Sequence, residues 1–586
     1  MKTPTIQQLA AISQRNNFIL TAIPGSGKTF VVGKRIHDLH STETILPYQG
    51  IATLSFTNNA SRETEDTYYL TSGKRIKYPD FVGTIDSFLN QFIVTPYAHL
   101  VMGDRTKPPT IVSSNDFLYK KYPQMNKYAR AYTPLDVTYR VDGSITHSSS
   151  GFEESMKQMM HKNNLLSLGD ISYYAMKILE TTDIASLLIK RFPYIMIDEA
   201  QDCSDVQMKI IDILVGTGHE NIMLIGDPFQ SIYVWRNARP ELFIDKVNNW
   251  NSLSLDISQR SGNAICQLLN RFHQCEEYIK PCNSVQDCRV AVMSTENLDE
   301  VNSTVRNFFE KCEEMEINVS RENVGILCGS NFLVSSFSGI KESNMYNLWK
   351  ADIASCCSLP IRAKSKFFKA DYTGAMNLLV NYFYYQVNHS LPKNNDELER
   401  SGLLLIDRKV LIWNCLNKIP NFEVDLDTWI FQANNVISET AGLLGIEIKY
   451  PLIKKRFRNG EEPSGVMTSW LVERNESTYK IASKMTVETI HQAKGKSYDA
   501  VLVPFVARSQ KVNINKLINA LSCKNLFRDN TSEDERCIYV AFSRPKKLLM
   551  ISVPKDEHLS LFDGSAQVKP EELDTVSTSF SKSLAL

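Results

Sequence analysis

The sequence predicts an α/β protein built on parallel strands, and three observations carry that expectation. A phosphate-sized loop, Thr21-Ala-Ile-Pro-Gly-Ser-Gly-Lys-Thr29, stands between the apolar run Phe18-Ile19-Leu20 and the helical run Phe30 to Ile36. Two later runs, Tyr194 to Ile197 and Asn221 to Ile225, are almost continuously apolar, as strands covered on both faces are. Each ends in polar residues, Asp198-Glu199 and Gly226-Asp227, and the carboxyl ends of parallel strands are where open α/β sheets bind ligands. At 586 residues the chain is too long for a single core and has room for about three or four domains.

Composition narrows the class. Hydrophobic residues make up 43% and charged residues 22%, a globular balance, and no stretch approaches a membrane span or a signal peptide. A cytoplasmic protein with no membrane partner is expected. Basic and acidic residues number 65 each, so any nucleic acid must be held by a local groove rather than a global positive field. The 12 cysteines include the adjacent pair Cys356-Cys357 and no C-x-x-C, which suits a reducing compartment. His273, Cys275, Cys282 and Cys288 lie close in sequence, but their spacing fits no zinc pairing and reads as scattered buried thiols.

In chain order, Gln8 comes first, in the short helical pattern Gln8 to Ile12, where its amide could read an adenine edge or simply face water. In the loop itself Ala22, Ile23, Pro24, Gly25, Ser26 and Gly27 form the turn, with backbone N–H groups aimed at an anion and a helix dipole behind them. Lys28 is placed for the β- and γ-phosphates and the Thr29 hydroxyl for Mg²⁺, which makes ATP with Mg²⁺ the expected cofactor. The strand Gly50 to Leu54 ends in Ser55-Phe56-Thr57-Asn58, and Phe81 to Phe88 repeats the arrangement with Thr84 and Ser87. Phe56, Thr57, Asn58, Thr84 and Ser87 are candidate nucleic-acid contacts, a core role for Phe56 being the competing reading. From Gln91 to Leu166 the character changes, with Pro108-Pro109, many tyrosines and a Ser-rich stretch, and an inserted helical subdomain is expected.

Adjacent carboxylates at a strand end are costly unless a cation or a reaction uses them. Asp198 is therefore assigned to Mg²⁺ and Glu199 to the attacking water. After the next strand, Gln230 is placed to sense the γ-phosphate. Tyr233 and Trp235, two apart, offer ring faces to one side of an extended segment, either to stack on bases or to form a core pair.

Taken together these stretches resemble the UvrD, Rep and PcrA group of superfamily 1A helicases. The resemblance covers Ala22 to Thr29, Ser55 to Asn58, Val82 to Thr84, Asp198 to Asp202 with Gln207, and Gly226 to Arg236. It continues through Leu255 to Ser261, Val487 to Gly495 and Glu535 to Arg544, so that it spans nearly the whole chain in order. The resemblance implies two RecA-like domains with parallel sheets, each carrying a mainly helical insertion, and ATP in the cleft between them. Residues 1–90 and 167–255 would be the first domain with 91–166 inserted, and 256–383 and 485–561 the second with a short insertion, 384–484, and a flexible tail, 562–586. Arg260 and Arg544 would reach the γ-phosphate, and His491 would join Phe56, Tyr233 and Trp235 as a grip on single-stranded DNA. The implied activity is an ATP-driven helicase moving 3′ to 5′. The helicase-like subunit of the Gabija antiphage system resembles the chain as well, and it implies a second reading, a DNA-sensing ATPase that regulates a nuclease partner.

Some positions depart from the family pattern. Phe30 stands where an Arg is usual and Gln259 where a Tyr is usual, so adenine stacking falls to Phe30. Lys496 replaces the acidic residue expected after Gly495, and Ser543 and Pro545 replace Thr and Ala. Between the motifs, Asn323 to Cys328 and the helix Ala375 to Phe383 are assigned to the second core. The run Lys454 to Arg458 reads as an exposed basic segment or a contact to duplex phosphates.

Overall fold

The computed structural model describes residues 3–43, 45–102, 108–112, 138–145, 152–233, 237–273, 278–282, 288–295, 297–342, 349, 354–368, 371–392, 395–455, 472–474, 476–506, 533–554 and 573–575. The chain divides into two compact units. The first holds residues up to 112, 132–338 and 480 onward, and contains two parallel sheets.

Six main strands form the first sheet: β1 Phe18–Ala22, β2 Ile51–Ser55, β3 Phe81–Thr84, β4 Tyr194–Ile197, β5 Ile222–Gly226 and β6 Asn251–Leu255, in the order β3-β2-β4-β5-β1-β6. All neighbours run parallel. Side chains alternate between two cores: Phe18, Leu20, Met196, Met223 and Ile225 face one, and Ile19, Ile195, Ile197, Ile222 and Leu224 the other. Burial on both faces is why β1, β4 and β5 read as continuous apolar runs rather than as alternation.

The second sheet contains β7 Arg289–Ser294, β8 Val324–Cys328, β9 Thr486–Thr489, β10 Tyr498–Pro504, β11 Pro545–Val553 and β12 Leu573–Thr575, in the order β9-β8-β10-β11-β7-β12. Val501, Val503, Leu549 and Ile551 face a core that also takes in Ile23 from the phosphate loop and Ile232, while Ala500, Leu502, Leu548 and Met550 face another. The two sheets are thus joined through the loop itself, which places the candidate site against the second sheet.

The second unit is a helical core with a two-stranded ribbon, Ile340–Glu342 paired with Val472–Arg474. Helices Ala354–Phe368, Tyr372–Asn388, Ile406–Lys418 and Leu426–Leu444 pack around Trp429, Tyr382, Phe383 and Ile412.

Three expected boundaries move. The helix placed in the second α/β core, Ala375 to Phe383, belongs to the helical unit, which runs from 339 to 479 rather than 384 to 484, because Ala375, Leu379 and Phe383 bury against Ile412 and Trp429. The insertion expected from residue 91 does not begin there: Ile93, Val94, Ala98 and Met102 pack into the first sheet's core, where the rings of Phe88, Phe92 and Phe192 meet. Leu573–Thr575, within the expected tail, adds an edge strand beside β7. Among the described residues no helix is long and apolar enough to cross a membrane.

Candidate functional site

The loop after β1 is held open by its glycines. Gly25 has φ +77° and Gly27 φ +86°, and Gly27 caps the helix Lys28–Thr42. A Cβ at Gly25 would stand 2.5 Å from the Arg260 Cβ, and one at Gly27 would stand 2.8 Å from Gln8 Nε2. Gln8 is buried, not on the surface: its Nε2 donates to Ser26 O at 2.9 Å and its Oε1 accepts from Thr5 N at 3.0 Å, so its amide braces the loop. Ser26 closes the turn by donating from Oγ to Ile23 O at 2.8 Å. Ala22, Ile23 and Pro24 are buried behind it, and Phe30 is partly exposed on the first turn of the helix.

Around the loop gather the acids. Asp198 follows β4 and is buried; burial and the adjacent Glu199 carboxylate raise its pKa above the aspartate range. Glu199 adopts φ +56°, a left-handed conformation costly for a side chain with a Cβ. That turn aims its carboxylate at Lys28 Nζ, 3.2 Å away, while Gln201 Nε2 donates to its other oxygen at 2.6 Å. The Lys28 and Lys494 ammonium groups outweigh burial and hold Glu199 far below the usual carboxylate range. Asp227 is also buried, which raises its pKa, and it accepts from Gln230 Nε2 at 2.8 Å.

From the second sheet come the cations. Arg544 is buried and donates from Nη2 to Gln230 Oε1 at 2.8 Å, and Arg260 donates from Nη1 to Ser543 O at 3.1 Å. Burial and the neighbouring Arg260 guanidinium lower the Arg544 pKa below the arginine range, as expected for two cations drawn together out of water. Lys494 reaches across to Asp202, to Gln230 O at 2.8 Å and to Glu199 Oε2 at 3.7 Å. Lys494, Asp202 and Asp227 stood within the stretches singled out in the sequence but carried no assigned role: the first two pair across 292 positions, and adjacency of the sheets is the signal that links them.

ATP with Mg²⁺ fits this set. The cradle leaves no room for a Cβ at Gly25, Thr29 and Asp198 offer hard oxygen donors, and Gln259 Nε2 is a buried donor without a protein partner among the described residues, beside a loop its own backbone N–H bonds through Gly25 O at 2.7 Å.

The expected strand grips fall along the sheet edges. Thr57 and Thr84 cap the helices Asn58–Ser72 and Ile85–Leu89 at the ends of β2 and β3, and Ser87 Oγ lies 2.8 Å from Thr84 Oγ1. Ser330 and Thr489 cap the helices after β8 and β9 in the same way. The Phe56 and Tyr233 rings stack at 5.8 Å and 14°, the His491 ring lies 6.2 Å beyond Tyr233, and Lys494 Nζ sits 4.8 Å over the Tyr233 ring. Phe56 and Thr84 line a cavity of about 630 Å³ with Tyr139 and Tyr173, a ring pair stacked at 4.5 Å that the sequence did not single out. His491 lines another, of about 740 Å³, with Thr489, Ser330 and Glu533. Trp235, Arg236, Cys275 and Arg456 onward to Arg458 lie outside the described residues, as does the side chain of Asn58. His273 stacks on Tyr278 at 3.9 Å and bonds Tyr539, as a core residue does.

Comparison with known proteins agrees with this layout. The UvrD/REP helicase N-terminal domain matches residues 4–136 and 126–251, and the UvrD-like helicase C-terminal domain matches residues 465–556, together more than half of the chain. The Rep ATP-dependent DNA helicase of Buchnera aphidicola is 22% identical over 92% of this chain and 94% of its own length. A probable DNA helicase II homolog of Mycoplasma capricolum is 24% identical, and the match covers 45% of this chain and 40% of that protein. The Gabija protein GajB of Bacillus cereus is 27% identical over 47% of this chain and half of its own length. The chain therefore spans half or less of two of these three relatives. The N-terminal match falls on the sheet that carries the phosphate loop and the C-terminal match on the strands that deliver Lys494 and Arg544; the chain belongs to the UvrD-like helicase family.

Proposed function

We propose that the chain is a DNA-dependent ATPase that moves along single-stranded DNA, 3′ to 5′, and separates strands ahead of it. The observation that carries this reading is the meeting of cations from the second sheet with the loop, acids and Gln230 of the first. ATP with Mg²⁺ supplies the phosphoryl bond whose hydrolysis drives the cycle. The loop backbone from Ala22 to Gly27 and Lys28 hold the phosphates, and Thr29 and Asp198 hold the metal. Glu199, kept ionised, orients the attacking water and takes its proton. Arg260 and Arg544 neutralise charge on the transferring group, Phe30 holds the base, and Gln8, its amide engaged by Ser26 and Thr5, braces the loop rather than reading adenine.

Gln230 and Lys494 tie hydrolysis to the strand. Gln230 bonds Arg544 through its amide and Lys494 through its carbonyl, and Lys494 in turn lies over the Tyr233 ring. A shift of Tyr233, whether by a stacked base or by its neighbours Phe56 and His491, therefore reaches Glu199 through one side chain. Trp235 is assigned to the same grip. Thr57, Asn58, Thr84 and Ser87 take the phosphate backbone.

Strand displacement by the purified chain tests the reading. A duplex with a 3′ single-stranded tail should be opened in the presence of ATP, and one with a 5′ tail should not. The likeness to GajB favours a second reading, in which the ATPase responds to DNA ends and governs a nuclease partner. Hydrolysis stimulated by ends, without displacement of either duplex, would select it.

A further inference from the structure

Among the described residues one group of three His, Cys, Asp or Glu side chains brings its ligand atoms within 4.8 Å of one another: His491, Glu533 and Cys537. We propose that these three residues form a site for a divalent transition metal, Zn²⁺ above all, on the wall of the cavity that His491 lines. His491 Nε2 lies 3.3 Å from Glu533 Oε1 and 3.9 Å from Cys537 Sγ. Donors around a tetrahedral Zn²⁺, with bonds of about 2.0 to 2.3 Å, stand roughly 3.3 to 3.8 Å apart. The His491–Glu533 separation falls in that range, the His491–Cys537 separation lies just beyond it, and all three atoms stand within 4.8 Å of one another.

The scaffold suits the task. Glu533 and Cys537 are four apart on the helix Glu533–Phe542 and so share a face. His491 sits on the turn Ile490–Ala493, which Thr489 and Gln492 fix through a reciprocal cap. A His–Glu ion pair alone accounts for two of these side chains; it does not account for a sulfur directed at the same ring nitrogen. Nitrogen, sulfur and one carboxylate select Zn²⁺ over Mg²⁺ or Ca²⁺, and the open cavity of about 740 Å³ admits water as a fourth ligand. A thiolate is the ligating form, so as the metal binds the Cys537 S–H bond breaks, the S–metal bond forms, and H⁺ leaves to solvent. On the functional reading above, a bound metal takes His491 Nε2 away from DNA and makes the site inhibitory; the metal site itself does not depend on that reading.

The test uses the full chain, stripped with a chelator and titrated with Zn²⁺ against a chromophoric competitor, then with Co²⁺ as a spectroscopic probe. One Zn²⁺ per chain is expected, with affinity at least about tenfold weaker in both Cys537→Ser and Glu533→Gln. Cys312→Ser, in a different core, should leave it unchanged. The Co²⁺ form should show a thiolate charge-transfer band that Cys537→Ser removes. Melting curves of the stripped variants report folding, and Glu533→Gln, at a partly exposed position, serves should Cys537→Ser unfold. Absence of bound Zn²⁺, or binding and a charge-transfer band that survive both substitutions, would overturn the proposal. Zn²⁺ binding as described in a chain whose ATPase ignores DNA would leave the site standing and remove only its inhibitory role.

Discussion

At Glu199 the surrounding groups fix both the charge of the carboxylate and its direction. Its positive φ, its two ammonium neighbours and the Gln201 amide leave its carboxylate ionised and aimed beside Lys28. Glu199→Gln should therefore bind ATP with little change, as read by a fluorescent analogue, while turnover falls about 10² to 10⁴-fold. Unchanged turnover would assign the water to another group. Lys28→Ala should abolish hydrolysis. Asp198 behaves in the opposite sense: burial and Glu199 raise its pKa, so it takes a proton above the ordinary aspartate range as pH falls, and metal binding is lost with it. The acid limb of the ATPase should accordingly move to lower pH as Mg²⁺ is raised, because metal competes with that proton; a limb indifferent to Mg²⁺ would place the titrating group elsewhere. Lys28, Asp198 and Arg544 received candidate roles from the sequence because each stands in a local motif whose chemistry is readable. Lys494 was visible only as part of a pattern, and its pairing with Asp202 depends on two sheets coming together.

Between elements, the critical contact is the one Lys494 makes from the turn after Ala493 to the segment around Gln230 and Tyr233. Removing one partner of a buried ion pair costs about 3 to 5 kcal/mol, so Lys494→Met should lower the melting temperature, and adding Asp202→Asn should recover much of that loss. Neither variant should regain stimulation by DNA, and the split between restored stability and lost stimulation separates coupling from mere support. Tyr233→Ala should weaken single-stranded DNA binding by about 1 to 3 kcal/mol, measured by anisotropy at fixed salt. Equal loss of basal ATPase would instead make the ring structural. The strands β1, β4 and β5 were readable from their continuous apolar runs, because burial on both faces leaves that signature, whereas the alternating and largely exposed β6 and the edge strand β12, inside the expected tail, were not. The helix Tyr372–Asn388 was also readable as a helix, but the core it joins was not: periodicity reports which face is buried and is silent on what covers it.

At the scale of the molecule, the first unit carries every described residue of the candidate site, and the second is a helical core of its own. Within the first unit, one sheet contributes the loop, Asp198, Glu199 and Gln230, and the other contributes Lys494 and Arg544. Thr57, Thr84, Ser330 and Thr489 cap helices at the ends of β2, β3, β8 and β9, and on the proposed reading a strand would pass along these ends. On the proposed reading DNA and ATP communicate through this junction, and steady-state ATP hydrolysis by the full chain, with and without single-stranded DNA at concentrations where anisotropy shows it bound, tests it. Stimulation of about tenfold or more is expected, abolished in Lys28→Ala. A rate unchanged by bound DNA would contradict it.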